Sequence, residues 1–146
     1  MTRDERRVWL IAACYGLWAG FCAVAAFAFA DAFWLGFWNP NRSLFGGLIE
    51  SLPYAAFTVI LAALGWAILH LRSREPGPGA YIALAIAIVI VVHSALMVSA
   101  SVGAPPEGFF AAFFLSFLFH FWFTIPIAAG ATGLFVLCLK RWKALE

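Results

Sequence analysis

Four unbroken apolar stretches divide the chain, from about Val8 to Ala30, Leu48 to Leu71, Ala80 to Ala100 and Phe109 to Leu139. Polar residues, glycine and proline gather between them, in DAFWLGFWNPNRS, RSREPGPG and SVGAPPEG. Each stretch exceeds the ~18 residues that mark a spanning helix. Inside hydrocarbon the backbone must satisfy its own hydrogen bonds, so the stretches are expected to be helices. The alternation in ALAIAIVIVV is too weak to read as a transmembrane strand. Short loops set consecutive helices side by side and antiparallel. The pattern therefore predicts an all-α integral membrane protein. Residues 1–146 form one transmembrane domain, an antiparallel four-transmembrane-helix bundle with helices at approximately 8–30, 48–71, 80–100 and 109–139. In the first connection Phe33, Trp34, Phe37 and Trp38 are expected along the membrane interface, before a turn at Asn39-Pro40-Asn41. The fourth stretch makes about 46 Å of helix at 1.5 Å per residue, against a hydrocarbon core of about 30 Å. It must tilt, kink or project, and Pro126 is the expected kink.

Composition supports this reading. Of 146 residues 65% are hydrophobic and only 11% charged. A soluble domain carries roughly 25% charged residues, so this chain cannot cover a water-facing surface. The charges that remain orient it. Arg3, Arg6, Arg7, Arg72, Arg74, Lys140, Arg141 and Lys143 flank one side under an even number of spans, and Arg42 alone lies on the other. The positive-inside bias puts both termini in the cytoplasm of a multi-pass inner-membrane protein. Trp9, Trp34, Trp38, Trp66 and Trp142 lie near the expected helix ends, where an aromatic belt would place them. Ala28-Phe29-Ala30 before Asp31 resembles a signal-peptide cleavage site, but the preceding apolar run is longer than the usual core of about 7–15 residues, so retention as an anchor is expected. A net charge of +2, spread over helix ends, gives no nucleic-acid surface. Cys14, Cys22 and Cys138 stand alone in apolar runs and suggest neither a disulfide framework nor a metal site.

The rows of small and polar residues say more. In steps of four the last helix reads Ala112, Ser116, His120, Thr124, Ala128, Thr132, while its phenylalanines and Trp122 take the other faces. A row of this kind lets a second helix approach closely, so it should face protein, with the aromatic surface turned to lipid or to a partner. The second helix carries Glu50, Tyr54, Thr58, Ala62 and Trp66; the first carries Ala12, Gly16 and Gly20. Gly16, Gly20, Ala112 and Ala128 are therefore the expected helix-packing positions. Counted inward from the outer helix ends, Glu50, Tyr54, Thr58, His93, Ser116, His120 and Thr124 fall within the outer half, and the inner half is expected to be almost wholly apolar.

That polar cluster has two readings. The histidines can fasten helices, since a neutral imidazole both donates and accepts a hydrogen bond. Glu50, beside Ser51 and Pro53, reads as the start of a helix. Alternatively the cluster is a site, because ionisable groups inside a membrane are costly to place there without a function. His93 and His120 are spaced to hold a haem, His93 with Met97 and His120 to hold copper, and Glu50 with the histidines to carry a proton or bind a small molecule. No nucleophile, acid–base set or phosphate-cradling loop accompanies them, so the chain is not expected to be an enzyme. The expected function is an accessory or interaction subunit of a larger membrane assembly, with the bilayer and a membrane-protein partner or a second copy as its surroundings. The alternative is a membrane protein that binds a small ligand or cofactor in the outer half of the bundle.

Overall fold

The computed structural model describes residues 3–38, 44–73, 75–100 and 106–143. It is all-helical, with α1 Arg3–Trp38, α2 Leu44–Arg72, α3 Pro78–Ala100 and α4 Pro106–Lys143. All four helices are long and apolar enough to cross a membrane, over Asp4–Phe29, Ser51–Arg72, Pro78–Ala95 and Thr124–Trp142.

The helices outrun the apolar stretches. The segment expected as an interfacial loop, residues 31–38, continues α1 without a break. Asp31 is a single charge and DAFWLGFW contains no proline, so nothing in it ends a helix before Asn39-Pro40. α2 likewise begins at Leu44, which leaves Glu50 beyond its first turn and Pro53 inside the helix. Glu50 is thus not at a helix start. One proline removes one backbone hydrogen bond, and α2 carries on through it. α4 is 38 residues long and runs through Pro126 in the same way.

α1 packs most extensively on α2, and α3 on α4; α1 also meets α4, and α2 meets α3. Among the described residues the diagonal pairs, α1 with α3 and α2 with α4, make no close backbone approach. The α1–α2 contact is tight because Gly16 and Gly20 lie against Val59, Ala63 and Ala55. Without side chains of their own, the two glycines let α1 settle directly on the α2 backbone.

The buried core lies toward the Arg72 end of α2 and is not purely aliphatic. Trp66, 1% exposed, is surrounded by Tyr15 of α1, Tyr81 of α3, Phe135 of α4 and His70 of its own helix, at ring separations of 4.6, 5.2, 5.3 and 4.8 Å. Trp66 therefore belongs to the core and not to an aromatic belt; Trp9 and Trp142 are exposed. Tyr15 and Thr132 share a buried hydrogen bond of 2.9 Å, and the Trp18 indole donates to the Ala131 carbonyl at 2.9 Å. The hydroxyl of Tyr81 and Nε2 of His70 bond at 3.1 Å. The half of the helices expected to be apolar thus carries polar contacts between α1 and α4 and between α2 and α3. Membrane hydrogen bonds of this kind average about 0.6 kcal/mol. A double-mutant cycle of Tyr15→Phe with Thr132→Val should give a coupling near that value in detergent unfolding. Zero coupling would leave the Tyr15–Thr132 contact without energetic weight.

Candidate functional site

A cleft lies between the helices. Its cavity volume is about 70 Å³, and it is partly open to the surface. α1 contributes Tyr15, Trp18, Cys22 and Phe27, together with Ala19, Ala23 and Ala26. The far walls come from α3, through Ala85, Ile88, Val92 and His93, and from α4, through Thr124, Ala128 and Thr132; α2 supplies Thr58. The space exists because the facing positions on α1 and α4 hold alanine and threonine where bulky side chains would otherwise meet.

The polar groups of the cleft sit toward its two ends. Tyr15 and Thr132 occupy one end and bond to each other. Thr58 lies two turns before Trp66 on α2, about 12 Å along the helix, and Trp66 is the residue that packs on Tyr15. His93 is eight residues beyond Ala85 on α3, and Thr124 eight before Thr132 on α4, so each marks a similar displacement along its own helix. Thr58 is 5% exposed and His93 4%. Thr58 Oγ1 donates to the Tyr54 carbonyl at 2.7 Å, so its proton is committed within α2 and its lone pairs remain. No described lining residue is Asp, Glu, Lys or Arg.

Thr58, His93 and Thr124 of the expected cluster thus line one cleft, whereas Tyr54 packs against Phe27 of α1 at 5.9 Å between ring centres. The side chains of Glu50, Ser116 and His120 lie outside the described residues, as does that of Met97. Among the packing positions Gly16 and Gly20 are pressed against α2 and Ala128 faces the cleft; the side chain of Ala112 lies outside the described residues. Sequence reading missed Tyr15 and Trp18. Their signal was present: Tyr15 adjoins Gly16, one turn after Ala12, on the face that the glycine row turns inward.

Two chemistries can be tested against this geometry. Among the described residues no three His, Cys, Asp or Glu side chains stand together as a metal would need. The cavity of about 70 Å³ is smaller than the roughly 150 Å³ that takes a benzene ring, so a haem would have to part the helices. What the cleft offers is a small, mostly apolar space with hydroxyl and imidazole groups on its wall. No family model matches the chain, and neither a curated protein nor a solved structure matches it.

Proposed function

We propose that this chain is a multi-pass protein of a bacterial-type inner membrane that holds a small molecule among its helices. The observation that carries the reading is the cleft itself. A concave, mostly apolar space with a few converging polar groups is the ordinary form of a small-molecule site, and here three helices give up side-chain volume to make it. The antiparallel arrangement is supported by the pairing of Tyr15 with Trp66 and of Phe27 with Tyr54, which runs in opposite directions along α1 and α2. The basic residues at the Arg3, Arg72 and Lys140 ends support cytoplasmic termini. Extraction of the purified protein followed by mass spectrometry tests the binding reading. The expected result is a small molecule retained by the native chain and absent from Ala128→Phe, in which a ring fills the cleft. Identical extracts from the two proteins would overturn it.

A second reading, an accessory or interaction subunit, has its own support in α4. Only 6% of the Thr124–Trp142 span is buried, against 22% to 28% in the other three. Phe110 and Phe114 are also exposed on this helix. A helix so little covered by its own chain is suited to a protein neighbour as well as to lipid. Purification in mild detergent should then bring down a stoichiometric membrane partner that is lost when Leu134 and Leu137, both exposed on α4, become Arg. A protein that stays monodisperse and alone under those conditions would exclude this role.

A further inference from the structure

We propose that the cleft holds an ordered water molecule that joins α2 to α3, hydrogen-bonded to Thr58 Oγ1 and to Nε2 of His93. A single water takes only a small part of the cleft, so the inference stands apart from the binding reading above.

Three observations lead to it. The first concerns His93, which is 4% exposed and lines the cleft. The residue makes other contacts, but its Nε2 is buried and has no hydrogen-bond partner within the protein. A polar atom so placed bears the full desolvation penalty unless a water meets it. The second concerns Thr58, which is 5% exposed and lines the same cleft. Its Oγ1 donates its proton to the Tyr54 carbonyl at 2.7 Å, so towards the cleft it can only accept. Water carries two protons and two lone pairs. It donates one proton to Thr58 Oγ1 and satisfies Nε2 in either tautomer of the ring, donating to a bare nitrogen or accepting from a protonated one.

The third observation is that the two groups share a level and that there is room between the helices. Leu84 packs over Gly65 and Tyr81 bonds to His70, so the contacts run in opposite directions along α2 and α3. Seven residues before Gly65 stands Thr58, and seven after Leu84 stands Val91. His93 is two positions further on, about 3 Å along the helix. The cleft that both residues line has a volume of about 70 Å³ and is partly open to the surface, whereas one water needs only about 10–15 Å³. The bridge has a structural use. Among the described residues α2 and α3 make the least extensive of the four helix contacts. The Tyr81–His70 bond fastens one end of it, and the water fastens the pair again at the level of Thr58.

Water-edited solid-state NMR tests this on the full chain, labelled with carbon-13 and nitrogen-15 in lipid bilayers. Magnetisation passes from water protons to the side chains that they touch. Ala62 and Ala67, both 0% exposed, serve as dry references. The Thr58 and His93 side-chain signals should build up severalfold faster than those of the two alanines. In Thr58→Val, which keeps the side-chain shape and removes the acceptor, the His93 signal should slow to the alanine rate. In Thr58→Ser, which keeps the hydroxyl, it should stay fast. Thr58 and His93 signals as slow as Ala62 in the native chain would show a dry cleft and overturn the proposal. A His93 signal that stays fast in Thr58→Val would overturn the bridge, since the water would not be shared with α2. Neither result alters the extraction test of the binding reading, which reads a retained small molecule separately.

Discussion

Gly16→Leu is expected to unseat α1 from α2, while Gly130→Ala should leave the protein as stable as before or slightly more so. The two positions differ in what a new side chain would meet. A Cβ at Gly16 would stand 2.6 Å from the Val59 carbonyl oxygen and 3.0 Å from the Ala63 Cβ. A carbonyl oxygen in a helix cannot rotate aside, so the helices themselves must part. Gly16→Ala already forces this, at a cost of about 1–3 kcal/mol by analogy with overpacked cores, and leucine adds three further carbons in the same place. The damage spreads because α1–α2 is the most extensive interface among the described residues. Gly20 behaves in the same sense, with the Val59 side chain and the Ala55 carbonyl in the way. At Gly130 and Gly133 no described atom lies within 4 Å of the added carbon. Alanine there brings only its better helix propensity, up to about 1 kcal/mol. Unfolding midpoints in a detergent–SDS titration, followed by circular dichroism, measure the contrast. Indistinguishable midpoints for Gly16→Leu and Gly130→Ala would remove close packing on the glycine row as the basis of the α1–α2 contact.

The four spans were legible because length and hydropathy are set by the bilayer and need no knowledge of tertiary contacts. Helix ends were not, since a helix stops where something stops it. The aromatic segment after Asp31 looked like a loop only because its polarity rises, yet polarity does not break a helix and the first breaker is Pro40. Pro53 misled in the opposite sense: it suggests a start, and α2 simply runs through it.

Side-chain placement divided along a similar line. The four-residue rows pointed to faces, and Thr58, Ala62 and Trp66 on α2 are all buried. Its position near the expected helix end nevertheless points Trp66 to an interface. Its membership of the buried row was the better guide, since a four-residue row follows one side of a helix whatever the depth. The Tyr15–Thr132 pair could not be read from the chain at all. It joins residues 117 positions apart, and only the packed α1–α4 contact brings them to one level.

Trp66→Ala should be the most destabilising truncation in the core, and Trp142→Ala close to neutral. In a water-soluble protein removal of a buried tryptophan costs about 3–5 kcal/mol, part of it the lost transfer of apolar surface out of water. That part weakens in a bilayer, because the lipid chains that meet a parted helix are as apolar as the core it left. What remains is contact. A void on one side of an atom forfeits dispersion outright, and Trp66 touches rings from every other helix: Tyr15, Tyr81 and Phe135. Its packing with Phe135 is edge-on at 85°, an arrangement worth about 0.5–1.5 kcal/mol beyond area alone. Loss of three such pairs with the cavity left behind sets the expected cost at about 3 kcal/mol, the lower end of the range for soluble cores. Trp142 is 69% exposed, so its truncation should stay within about 0.5 kcal/mol. Trp66→Phe should fall between them, since one ring still fills part of the space. Because Trp66 holds the Tyr15 ring at 4.6 Å, its removal should also loosen the Tyr15–Thr132 bond. Tyr15→Phe would then cost less in the Trp66→Ala background than in the native chain. The same detergent–SDS unfolding measures all five variants. If Trp66→Ala unfolds at the midpoint of Trp142→Ala, the aromatic cluster does not hold the helices together.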